Sequence, residues 1–228
     1  MIRKFAFPSV VVATALFPSL AEAHVDVSSG PAHAGQNQIV TLGVGHGCEG
    51  ADTSAIRVEI PAEIASVRVL PNAFGQVSVE RDASDRVVAV TWQKADADVL
   101  PQDEGYYALS LRIRVPDAPF TKLYFPTHQT CKTADGTTLT ADWTALPGEE
   151  GEPAPALTIV PQRQAGWNKI TVPVVIESLE TFFADAQIVW KGNAAWSASA
   201  ATAAQIAETP GVTTLSSVAA GDELWVRY

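Results

Sequence analysis

The chain is short of cysteine, of clustered basic residues and of long apolar runs, and each shortage excludes something. Only Cys48 and Cys131 are present. Fifteen basic residues face twenty-five acidic ones, with no basic run, and the formal charge is −10. That balance argues against nucleic-acid binding. It suits an exported soluble protein and attracts metal cations. Beyond residue 23 no apolar stretch is long enough to cross a bilayer. A length of 228 residues fits one ample domain, or one domain with a smaller appendage.

What is there begins with a secretory signal. Residues 1–23 have a positive start at Arg3 and Lys4, an apolar middle, and the small-residue ending Ala21-Glu22-Ala23. The apolar part is too short and wrongly flanked for an anchor. No cysteine stands at the cleavage point, which argues against a lipoprotein. Without Arg3, Lys4 and Glu22, the mature chain carries thirteen basic and twenty-four acidic residues, a formal charge of −11. A periplasmic or secreted product is expected. Cleavage after Ala23 makes His24 the first residue. An N-terminal histidine offers one metal both its free α-amine and its ring Nδ1, a chelate no internal histidine can form. Copper(II) heads the divalent affinity order and suits imidazole and amine nitrogen. The competing explanation is that processing leaves a histidine there by accident.

In an oxidising compartment the two cysteines pair as one disulfide, closing a loop of about 80 residues worth roughly 4 kcal/mol in the chain-entropy view. A thiolate metal site is the alternative. The rest of the mature chain reads as strands. Residues 38–44, 56–60, 67–70, 77–80, 87–92, 107–115, 122–125 and 139–143 alternate apolar and polar, and prolines at 61, 71, 101, 116, 119 and 126 mark the ends. Seven to nine short strands in roughly 135 residues, without an amphipathic helix, predict an all-β, antiparallel β-sandwich. Residues 147–155 read as a solvated linker or edge loop, and 156–160 as a closing strand. Residues 161–228 read as a small mixed extension packing on the sandwich. It has strands near 167–172, 186–190 and 222–228 and a short helix over 199–208.

Four segments carry the chemistry. They are His24-Val25-Asp26-Val27, the loop His46-Gly47-Cys48-Glu49-Gly50, the run from Leu123 to Cys131 (LYFPTHQTC), and Asp142-Trp143. With Pro101 and Tyr106 these motifs, in this order, resemble the YcnI-like family (domain of unknown function 1775), exported bacterial copper-binding proteins. The resemblance covers residues 24–160. It implies a cupredoxin-like or immunoglobulin-like sandwich holding copper(II) in a single-histidine brace. Here the brace would be the α-amine and ring of His24, completed by the Glu49 carboxylate. Trp143 takes the place of the family's tryptophan beside the metal, and Cys48 and Cys131 occupy its disulfide positions. His128 departs from the aliphatic residue expected there. It is read as an outer-sphere group or an exposed strand residue.

The residues also support blander readings. Glu49 alone would pass for an exposed loop acid, and Trp143 for a core aromatic. His46 is expected to hydrogen-bond its own loop, and His33 to sit in a turn without a role. Asp26, on an alternating strand, is aimed away from the α-amine. The leading function is non-catalytic copper handling, with transfer to another exported chaperone or a membrane copper transporter. One alternative is an oxidative copper enzyme, which would need a second imidazole from His46 or His128. The other is an immunoglobulin-like interaction module.

Overall fold

The structure, a computed structural model, describes residues 24–228. The expected signal segment, 1–23, lies outside the described residues. The first thirteen strands are β1 (Val25–Val27), β2 (Ala32–His33), β3 (Asn37–Val44), β4 (Asp52–Glu59), β5 (Val67–Val69), β6 (Gln76–Arg81), β7 (Val87–Gln93), β8 (Tyr107–Arg114), β9 (Lys122–Tyr124), β10 (Thr127–Lys132), β11 (Thr138–Ala145), β12 (Glu152–Pro153) and β13 (Ala156–Val160). They form a four-stranded sheet ordered β1-β3-β8-β5, a six-stranded sheet ordered β12-β11-β10-β4-β7-β6, and a side sheet ordered β2-β13-β9. Pairing is antiparallel except where β12 meets β11 and β2 meets β13.

Alternation explains the layers. Leu109, Leu111 and Ile113 of β8 face inward, as do Val40, Leu42 and Val44 of β3. They meet Ile56, Val58, Val90 and Trp92 from the larger sheet in one core, which Leu123, Leu157 and Ile159 of the side sheet close. Each such side chain contributes about 1.5–3 kcal/mol when fully buried. The expected all-β sandwich is therefore the fold. The reading of His33 as a turn residue is corrected. It lies in β2, pairs with Val160, and its Nδ1 is 3.2 Å from the Pro161 carbonyl.

Later residues form a second sheet with its own core. Strands β14 (Trp167–Thr171), β15 (Ile188–Lys191), β16 (Ala194–Trp196), β17 (Thr213–Thr214) and β18 (Glu223–Arg227) take the order β14-β18-β15-β16-β17. Helix α1 (Leu179–Phe183) adds Leu179 and Phe183 to a cluster with Val172, Val189, Leu224 and Val226. Helix α2 (Ala200–Glu208) starts at Ser199, whose side chain accepts from the Thr202 N–H, as an N-cap should. Phe120, from the loop between β8 and β9, belongs to this cluster, with its ring 5.4 Å from that of Phe182. Its φ of 68° is left-handed, an unusual state for a bulky residue. No helix among the described residues is long and apolar enough to cross a membrane.

Candidate metal centre

The loop before β4 is a tight hairpin. The Cys48 N–H donates to the Ala51 carbonyl at 3.1 Å, and the Ala51 N–H returns to Cys48 at 2.8 Å. Between them Glu49 has φ 50° and Gly50 φ 83°. Two central residues with positive φ make a type I′ turn, which normally selects Asn-Gly or Gly-Gly. Glycine fits the second place without strain, whereas glutamate at the first costs about 1–2 kcal/mol. Gly47 is required for a different reason. A Cβ there would stand 1.7 Å from the Ala51 carbonyl oxygen, so any side chain would open the turn. The Asp103 N–H donates to the Gly50 carbonyl at 3.0 Å and steadies the tip from the far side. The Glu49 side chain is exposed.

The turn is tied to the six-stranded sheet. Cys48 and Cys131 form the disulfide, their Cα atoms 5.7 Å apart, within the usual range of about 4.4–6.8 Å. The thiolate alternative is thereby set aside. Strand β10 alternates as expected of a strand, but its buried face is Thr127, Gln129 and Cys131. Polar groups on a buried face need partners, and Gln129 has three. Its amide nitrogen donates to the His46 carbonyl at 2.7 Å and to Thr53 Oγ1 at 2.8 Å. Its amide oxygen accepts from Trp143 Nε1 at 3.1 Å. One side chain thus joins the loop before the turn, strand β4 and the tryptophan of β11. Sequence reasoning quoted Gln129 only as part of a motif and missed this role. The signal that could have found it is a polar residue in phase with Thr127 and Cys131.

His24 comes to the same place from the other sheet. Strand β1 pairs Val25 with Val44, at the end of β3 that leads into His46. The His24 ring lies 5.6 Å from the Trp143 ring, tilted by 50°. Trp143 is buried, which also satisfies the plain reading of it as a core aromatic. His24 and Trp143 are therefore brought together, and the Glu49 turn is tied by Cys48 to the strand beside Trp143. His46 behaves as a loop residue: its Nδ1 lies at hydrogen-bond distance from the Gly47 carbonyl. His128 faces the opposite side of the sheet. Its Nδ1 is 2.7 Å from Asp142 and its Nε2 3.6 Å from Glu59, in an exposed array where Arg57 bridges Glu59 and Glu80. Those carboxylates hold the Arg57 guanidinium more firmly charged than usual, and Arg57 holds Glu80 below the ordinary carboxylate range. Asp26 is exposed, its carboxylate and the Tyr106 hydroxyl both lying over Gly43.

Among the described residues, no group of three or more His, Cys, Asp or Glu side chains is gathered for a metal. A metal held at His24 would need a further donor, such as its own main-chain nitrogen. The donors that fit copper(II) are the ring and α-amine of a processed His24, with a carboxylate as third ligand. Glu49, in a strained backbone state on a tethered turn, could supply that carboxylate.

The fold and site together define a β-sandwich protein in which one disulfide ties the Glu49 turn to a strand that pairs with the one carrying a buried tryptophan. The chain belongs to the YcnI-like family, described as a domain of unknown function (DUF1775), whose profile matches residues 24–159. The match starts at His24. Among solved structures the chain is similar to an uncharacterized protein from Nocardia farcinica described as having an immunoglobulin-like fold. The two are 27% identical at a TM-score of 0.48, over 60% of this chain and 98% of that one. It is also similar to the major pilin subunit BcpA of Bacillus cereus, at 9% identity and a TM-score of 0.34 over 64% of this chain and 40% of that one. A type I cohesin–dockerin complex from Clostridium thermocellum matches at 15% identity and a TM-score of 0.28, over 58% of this chain and 84% of that one. No curated protein matches the chain.

Proposed function

We propose that the mature protein is an exported copper(II)-binding protein of copper trafficking or homeostasis. The metal is held by the α-amine and ring of His24 and by the Glu49 carboxylate, beside Trp143. The observation that carries this reading is the His24 ring against Trp143, 5.6 Å away, next to the strand that anchors the Glu49 turn. A bound copper(II) ion would be cargo, handed on to another exported chaperone or a membrane copper transporter. The Trp143 ring neighbours the imidazole, tilted 50° to it. Gln129 holds Trp143 in that attitude. An oxidative copper enzyme draws no support from the other histidines, since His46 turns to its own loop and His128 lies on the outer sheet face with Asp142 and Glu59.

The test is native mass spectrometry of protein beginning at His24, with one equivalent of copper(II), beside the same protein with one extra residue before His24. The expected result is one tightly held copper in the first and at least a hundredfold weaker binding in the second. Glu49→Gln should weaken binding and alter the electron paramagnetic resonance spectrum. Equal titration of the extended and processed forms would remove the brace.

A further inference from the structure

The outward face of the sheet after residue 160 carries a stripe of tryptophans that the copper reading leaves unused. Alternation turns Ile170, Val189, Leu224 and Val226 toward the core, so Trp167, Lys169, Trp190, Glu223, Trp225 and Arg227 share the opposite face. Register fixes their spacing. Trp190 on β15 stands directly opposite Trp225 on β18, and such pairs hold their Cβ atoms about 4.5–5.5 Å apart. Trp167 on β14 pairs with Arg227 and is therefore diagonal to Trp225, about 7–8 Å away. The three tryptophans thus lie on three adjacent strands, in a stripe about 10 Å across. They line a shallow cleft of about 540 Å³, within the range of small-molecule sites. Gly192, in the turn between β15 and β16, completes the lining without adding a side chain.

Apolar residues scattered singly over a surface are ordinary, but a contiguous aromatic patch marks a binding surface. Trp167 and Trp225 are half exposed, and Trp190 is partly so. Charge decides what they face. Lys169 stands opposite Trp225 and reaches Glu223 at 2.7 Å. The Arg227 guanidinium lies 6.0 Å from the centre of the Trp167 ring. A protein partner pressed onto the stripe would bury these three charged side chains, and interface centres are depleted of lysine and glutamate. A nucleic acid would stack on the rings, but a chain of formal charge −10 repels it. A neutral sugar meets neither obstacle. Each pyranose ring presents an apolar face of C–H bonds, whose partial positive charge suits the negative face of an indole. Its rim of hydroxyls both donates and accepts, which matches Lys169, Arg227 and Glu223 while they stay in water.

We propose that this face binds a neutral oligosaccharide of the flat kind that equatorial β-1,4 linkages give, its rings stacked on Trp225, Trp190 and Trp167. The site stands independently of copper. The probes are cellohexaose and chitohexaose, titrated by calorimetry into the full chain beginning at His24. At least one should bind saturably, and the pair shows whether hydroxyl or acetamido substituents are preferred. Maltohexaose, whose α linkages curl the chain, should bind at least tenfold more weakly. Trp225→Ala should weaken binding at least tenfold and Trp167→Ala at least fivefold. Trp225→Tyr keeps a stacking ring and should hold binding within about threefold, which separates loss of the platform from loss of the fold. Failure of both glycans to bind, equal binding of maltohexaose, or binding that survives both alanine changes would overturn the proposal. Failure of both glycans together with Trp225-dependent attachment to phosphatidylcholine vesicles would overturn it in favour of a membrane surface.

Discussion

The sandwich before residue 160 and the sheet after it treat their polar and aromatic groups in opposite ways. In the sandwich, β10 turns Thr127, Gln129 and Cys131 inward, and Trp92 and Trp143 are buried. In the later sheet the inward face is wholly apolar, with Val189, Leu224 and Val226. Two of its tryptophans stand outward, Trp167 at 51% and Trp225 at 50% exposure, while Trp196 packs against the core. The first region accepts a polar face on β10 because Thr127 and Gln129 have partners there, and those of Gln129 position the candidate centre. The second keeps most of its polar residues on the surface, with buried Ser197 donating to the Gln187 carbonyl. Joining the two is Phe120, a sandwich residue whose ring belongs to the other core.

If the regions are energetically separate, breaking the disulfide should separate them most. Replacing Cys48 and Cys131 by serine should destabilise the sandwich by about 4 kcal/mol. Amide exchange in β4 and β10 should accelerate accordingly while that in β18 stays as it was. Equal acceleration in β18 would mean one cooperative unit. Next in size, Phe120→Ala should cost about 3 kcal/mol and be felt in β15 and β18 more than in β8. Phe120→Gly should cost less than Phe120→Ala, because glycine relieves the left-handed backbone. Thermal melts of both variants supply the check.

Gln129→Leu should cost about 2 kcal/mol, since it leaves the Trp143 Nε1–H and the His46 carbonyl without partners. Its signature would be a shifted indole N–H resonance of Trp143 with the late sheet unchanged. The smallest effect is alkaline. Burial and nearby Asp185 push the Tyr228 phenol up to about 12, with Arg163 opposing. An unfolded tyrosine ionises near pH 10. The folded state therefore holds its proton more tightly, and this contribution is complete below about pH 10 and lost as pH rises toward 12. Tyr228→Phe should flatten the alkaline decline of the late sheet, read by near-ultraviolet circular dichroism between pH 9 and 12.

Strands with apolar inward faces were legible from alternation: 107–115 against the observed Tyr107–Arg114, and 87–92 against Val87–Gln93. Strand β10 gave no such signal, because its buried face is polar, and only its motif drew attention to it. Helix α2 was legible through its alanines and the Pro210-Gly211 stop after it, whereas five-residue α1 and the two-residue strands are set by tertiary contacts. Of the candidate site, the disulfide was readable from a lone pair of cysteines behind a segment that reads as a secretory signal. The buried ion pair of Lys94 with Asp52, which the Tyr107 hydroxyl joins, was not, because Asp52 and Tyr107 lie 55 residues apart on strands of different sheets and meet only where the sheets pack.

The left-handed turn at Glu49 has a consequence for directed evolution. A library selected for thermal endurance alone should exchange Glu49 for Asn or Gly, which sit in that backbone state with less strain. On the proposed copper role, a library selected for growth under limiting or excess copper should keep the carboxylate and gain its stability elsewhere. Position 49 would then report, by its residue alone, which of the two pressures a lineage had experienced.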